Sequence, residues 1–166
     1  MKFQDDPQLG PYINAWGCDF CSLLALVEVK SNGTFTWDYP GILEVYKQGM
    51  DHGYVQKEVQ NPDGSPADGC TILDFTSFFA LASQYAKVLV VCGGEFYAEH
   101  DYQPTGNDAE ILELKRDGHA GSHFTLGNGK ANQTPWQNEI AFDPIRGGSQ
   151  TAKLGWIASK RILQFA

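Results

Sequence analysis

The chain has 166 residues, of which 42% are hydrophobic and 19% charged, and its formal net charge is −8. That length can bury a core without metal or disulfide support, and the composition argues against disorder. The negative balance argues against non-specific binding to nucleic acid or to an anionic membrane surface.

Met1-Lys2-Phe3-Gln4-Asp5-Asp6-Pro7 lacks the apolar segment of a secretory signal, and the best apolar run, Val88 to Cys92, is far too short to span a bilayer. A protein made and kept soluble in the cytoplasm is the expectation. Its four cysteines, Cys18, Cys21, Cys70 and Cys92, are too few for a disulfide scaffold, so reduced thiols are expected.

Residues 1–17, punctuated by Pro7, Gly10, Pro11 and Gly17, predict an irregular arm. Cys18 through Lys30 predicts a helix with Cys18, Cys21, Leu24, Ala25 and Val29 on one stripe, stopped by Ser31-Asn32-Gly33. A second helix is expected from about Pro40 to Gln48 and a third from Ile72 to Tyr85, after the turn Asn61-Pro62-Asp63-Gly64-Ser65-Pro66. The β-branched run Lys87-Val88-Leu89-Val90-Val91 predicts a central strand. Strand-length segments follow at Glu110 to Lys115, His123 to Leu126, Ile140 to Phe142 and Arg161 to Phe165. The expected fold class is α+β, with N-terminal helices packed on a C-terminal antiparallel sheet and residues 1–166 in a single domain.

Three segments carry chemistry. Cys18 opens the first helix, where free backbone N–H groups and the helix dipole favour a thiolate, and where its own N–H can face an oxyanion. The commoner fate of a lone cysteine is to be buried and inert. His123 follows the turn Asp117-Gly118-His119-Ala120-Gly121-Ser122 and opens a strand, while Asp143 ends the next strand before Pro144. Adjacent strands would let the Asp143 carboxylate orient the His123 ring, which in turn could serve Cys18 as a base. Taken alone, Asp143-Pro144 reads as a turn starter.

Gly17-Cys18-Asp19-Phe20-Cys21-Ser22-Leu23-Leu24-Ala25-Leu26 resembles the Gly-Cys-Gly-Pro-x-Ser-Leu-Ala-Met-Val start of the double-glycine leader peptidase-like branch of papain-like cysteine peptidases. His123-Phe124 resembles that branch's Gly-His-Phe strand, and Phe142-Asp143-Pro144 its Asp-Pro element. The stretch from Ser31 to Gln103 matches no part of it. The resemblance implies a papain-like fold with Cys18 as nucleophile, His123 as base and Asp143 as the orienting residue, and it implies no cofactor or metal. Asp19-Phe20 stands where the family has Gly-Pro, and Ser122 where it has Gly. The family's oxyanion glutamine lies about six residues before the cysteine, where this chain has Tyr12; Asn14 and, less well placed, Gln8 are the nearby amides. Compact enzymes of this kind often cut peptides of cell-wall peptidoglycan, as phage endolysins released by a holin do. By that analogy the partner is a peptide or peptidoglycan, with no nucleic acid or membrane, and the oligomeric state is left open.

Other classes leave their own marks. Cys18-x-x-Cys21 is the spacing of a redox motif, but no convincing strand precedes it. Cys18 and Cys21 could join Cys70, Cys92 or a histidine around zinc, although no second closely spaced ligand pair is present. A catalytically inactive papain-like binding domain is the third alternative. His119 and His123 have the spacing of a helical metal pair, yet Gly118 and Gly121 predict an exposed turn for His119. Glu95, Glu99, Glu110 and Glu113 supply carboxylates, with no spacing that selects a glycosidase pair. Asn61-x-Asp63-x-Ser65 starts like a calcium loop and fails at Pro66, where glycine is needed.

Overall fold

The computed structural model describes residues 1–131 and 135–166. Its N-terminal arm is helical, which corrects the irregular reading. Pro7 opens a one-turn 3-10 helix, Pro7–Leu9, capped by the Asp6 side chain, and Pro11 opens helix α1, Pro11–Trp16. The prolines that look like breakers sit in first turns, where a missing N–H costs nothing.

Helix α2 spans Cys18–Lys30 and is capped at Ser31. It is buried without interruption from Asp19 to Val27, so it is a central helix rather than one with a single apolar stripe. Val29, expected on the stripe, is exposed. Helix α3 runs from Tyr39 to Asp51 with Pro40 in its first turn and Asp38 as cap. Helix α4, Phe75–Ala86, starts later than expected because Asp74 caps it, accepting the Ser77 N–H at 2.8 Å. Between α3 and α4, the turn at 61–66 joins a small hairpin of β1, Val59–Gln60, and β2, Pro66–Asp68.

The apolar run after α4 is not a central strand. Lys87 ends the helix with φ 57°, and Leu89 and Val91 are 99% and 79% exposed. β-propensity reports fit to a half-buried pleated surface, and the chain meets one only when β3, Cys92–Ala98, pairs with β7. The remaining strands are β4, Ala109–Lys115, β5, His123–Gly127, β6, Ile140–Phe142, and β7, Trp156–Phe165. They form a five-stranded antiparallel sheet in the order β3-β7-β4-β5-β6. The protein is therefore α+β, N-terminal helices against a C-terminal antiparallel sheet.

One sheet face meets the helices: Ile111, Leu126, Leu163 and Phe165 join Phe20, Leu23 and Phe79 in the main core. The other face carries Leu112 and Leu114, covered by Ala131 and by Ala152 of a short helix α5, Gln150–Leu154. Strand β6 is short and pairs with β5 only at Leu126 and Gly127, leaving the His123–Phe124 edge open to α2. Ser22 of α2 closes part of that edge, its one hydroxyl hydrogen within reach of both Cys18 O, 2.7 Å from Oγ, and Phe124 O, 3.2 Å from it. Among the described residues, no helix is long and apolar enough to cross a membrane.

Candidate active site

Gly17 is the joint between α1 and α2, and its N–H still donates to Ile13 O of α1 at 2.9 Å. A Cβ there would lie 2.6 Å from Ile13 O, so only glycine lets the two helices meet this closely. The joint presents Cys18, the first residue of α2, half-buried at the foot of two cavities. One, on the sheet-edge side, is lined by Gln4, Asn14, Cys18, His119, His123 and Ser149 among others. The other, about 220 Å³, lies toward Asp19, Phe75, Tyr97, Glu113 and Arg161.

His123 is buried at the start of β5, and its Nε2 lies 2.8 Å from Asp143 Oδ1 at the end of β6. Asp143 is held hard: Oδ1 also accepts the Ile145 N–H at 3.0 Å, and Oδ2 accepts the Ser149 N–H and Oγ, each at 2.9 Å. Burial pushes its carboxyl up, but the bonds from His123 and from the Ser149 and Ile145 amides outweigh that and hold it below the ordinary range. The same Ser149 hydroxyl accepts the Ala152 N–H as cap of α5, so that helix is keyed to the aspartate. With Nε2 engaged, the other ring nitrogen of His123 is the one left for the cavity that it shares with Cys18.

Thiol and imidazole share a cavity, but no hydrogen bond joins them in this structure. The expected lowering of the Cys18 pKa at a helix start is also corrected. Burial pushes the thiol up to about 12, the neighbouring Asp19 carboxylate adds to this, and the backbone N–H groups of Phe124, Asp19 and Cys18 itself oppose it without prevailing. Cys18 is a neutral thiol in this geometry. Burial likewise raises Asp19, to about 6, even though its carboxylate accepts the Phe20 N–H at 2.7 Å and the Ile72 N–H at 3.0 Å.

The two amides considered for the oxyanion do not serve. Asn14 lines the cavity, but its Nδ2 donates to Gln4 O at 2.5 Å and to Asp6 O at 2.9 Å, which spends both hydrogens on strapping down the arm. Gln8 is exposed in the 3-10 helix and does not line either cavity. Gln4 is a further amide on this cavity, one that spacing does not single out. It is 4% exposed and lines the cavity with Cys18 and His123; its backbone N–H donates to Pro144 O at 2.8 Å. Its Nε2 gives one hydrogen to Asn14 O at 3.1 Å and keeps the other, while its buried Oε1 has no partner. No residue pattern announces it, because the fold of α1 brings it back from farther along the chain than the family's spacing.

The rival sites fare as follows. All four cysteines are free, and among the described residues no three His, Cys, Asp or Glu side chains converge as metal ligands do. Cys21, Cys70 and Cys92 are buried. His119 is exposed at the cavity's rim.

The fold and the site together define an α+β protein with a helix-start thiol and an oriented histidine facing one cleft. A family model described as "Protein of unknown function, DUF261" matches residues 1–165, and the chain belongs to that family. No curated protein and no solved structure matches it significantly.

Proposed function

We propose that the protein is a cysteine-dependent amide hydrolase, a peptidase or amidase of the papain-like class, in the double-glycine leader peptidase-like branch. The observation that carries this is the His123–Asp143 pair, which engages Nε2 and leaves the other ring nitrogen toward the cavity of Cys18. His123 takes the thiol proton as Cys18 Sγ attacks the amide carbon, so a preformed ion pair is not required. The oxyanion falls to the Cys18 N–H and the spare Gln4 Nε2 hydrogen. His123 then gives its proton to the departing amine, leaving a thioester on Cys18. Water, deprotonated by His123, attacks the thioester and releases the acid and the free thiol. Peptide stems of peptidoglycan are the substrate class we favour, cut in the manner of a phage endolysin freed from the cytoplasm by a holin.

The test is incubation of the protein with purified peptidoglycan and with peptides, reading new amine termini by mass spectrometry. New termini with wild type and none with Cys18→Ala are expected. Full activity in Cys18→Ala, or no new termini on any substrate, overturns the reading.

A further inference from the structure

The second cavity holds charges that the hydrolytic steps do not use. Arg161 on β7 stands opposite Tyr97 on β3 and Ile111 on β4. Its guanidinium is 3.4 Å from the Tyr97 ring centroid and 4.6 Å from that of Phe75, so aromatic rings pin a planar cation and leave its N–H edge for an acceptor. Among the described residues that edge makes no hydrogen bond. The nearest carboxylate is Glu95, with Oε2 3.7 Å from Nη1, too long for one. Among the described residues, Arg161 Nε and Glu95 Oε2 are both buried without a hydrogen-bond partner, which is uncommon for buried polar atoms. Glu113 also lines the cavity, its oxygens accepting Ser122 Oγ at 2.5 Å and Ser159 Oγ at 2.6 Å. Arg161 and Glu113 are not ion-paired with each other.

We propose that this cavity is the substrate subsite beside Cys18 and that it receives a carboxylate on the Arg161 guanidinium. The fork of an arginine matches a carboxylate in two parallel hydrogen bonds. Glu113 repels an anion and so turns it toward Arg161, while Trp16 and Phe75 offer apolar surface to the carbon chain behind it. The carboxylate comes from an acidic side chain or from the free C-terminus of a peptide. In a chain of formal charge −8, a held cation next to the thiol is a selective feature rather than part of a general attraction for anions.

The word subsite rests on the hydrolase reading; the binding does not, and it is measured without turnover. Calorimetric titration of Cys18→Ala protein uses acetyl-Ala-Glu-amide, acetyl-Ala-Ala with a free C-terminus, and the neutral acetyl-Ala-Gln-amide. One acid probe should bind about 10-fold tighter than the neutral one, and which of the two does so names the source. Arg161→Gln should erase the difference. Glu95→Gln removes the carboxylate nearest the guanidinium without altering the cavity's lining, and should tighten the acid probe; it also keeps the test decisive if Arg161→Gln does not fold. Equal affinity for all three probes, no binding of any at about 10 mM, or an acid preference that survives Arg161→Gln overturns the proposal. Acid-selective binding in a protein whose wild type cleaves no peptide would sink the hydrolase reading alone.

Discussion

Asp19 Oδ2 accepts the backbone N–H of Ile72 at 3.0 Å, which fixes a buried carboxylate beside the thiol of Cys18. Two charges of one sign in that space disfavour each other, so Asp19 opposes ionisation of the thiol. Asp19→Asn should lower the Cys18 pKa from about 12 and raise its iodoacetamide labelling rate about 10-fold between about pH 7 and 9. In wild type the rate should climb with pH over that range, and Cys18, the one cysteine not buried, should label first. A flat profile would mean that thiolate and imidazolium are already paired.

Asp19 also sets a pH dependence of stability. Burial raises its pKa from the ordinary 3.8 to about 6, so the native state holds the proton more tightly than the unfolded chain does. Stability from this group is greatest below about pH 4, declines as pH rises toward 6, and is level above it, a span of about 3 kcal/mol. Denaturant midpoints across that range should show the decline in wild type and not in Asp19→Asn.

Asp143 has the opposite sign. Its folded pKa is depressed, so its contribution is present above the unfolded value and lost as pH falls through the folded one. Asp143→Asn can turn its oxygen to His123, but its NH2 then faces the Ser149 N–H that the lost oxygen accepted. That variant should cost about 1–3 kcal/mol in thermal melts and keep a substantial part of the hydrolysis rate. Asp143→Ala should lose both, and wild-type rates in both variants would remove Asp143 from the site.

His123→Ala should reduce hydrolysis by about 10²- to 10⁴-fold with the fold retained, and His119→Ala should leave it near wild type. The reverse pattern would place the base at the exposed rim rather than at the Asp143 pair.

On the far face of the sheet, Lys160 is fully buried, its Nζ 2.9 Å from Glu110 Oε2 and 2.8 Å from Tyr102 O. Lys160→Met strands the Glu110 charge and should cost about 3–5 kcal/mol, whereas adding Glu110→Gln should restore part of it. Paired thermal melts check this, and an undiminished Tm in the single variant would contradict it.

Bounds set by local stop signals were legible: α2 spans Cys18–Lys30 and ends at Ser31, and β6 spans Ile140–Phe142 before Asp143-Pro144, both as expected, although the stripe expected on α2 was not found. Boundaries moved where a cap decided them, as at Asp74, and the Val88–Val91 strand failed because propensity does not say whether a partner surface is within reach. In the site, Cys18, His123 and Asp143 are local punctuation marks, visible at a helix start, a strand start and a strand end. Gln4, Glu113 and Arg161 are not, because only the folding-back of the arm and the β4–β7 register bring them to the cleft. The thiol's protonation was beyond sequence too, since it depends on how much protein encloses the sulfur.

The glycine joint between α1 and α2 makes the protein unequally tolerant of changes in length. Because α2 is packed on all sides, it cannot turn, so a residue inserted at Gly17 would rotate α1 instead, by about 100° about the helix axis. Trp16 would leave one cavity, and the strap from Asn14 to Gln4 would leave the other. The spacing from Gln4 to Cys18 is thus a gauge length of the cleft, while the exposed turn at 61–66 can lengthen without the cleft registering it.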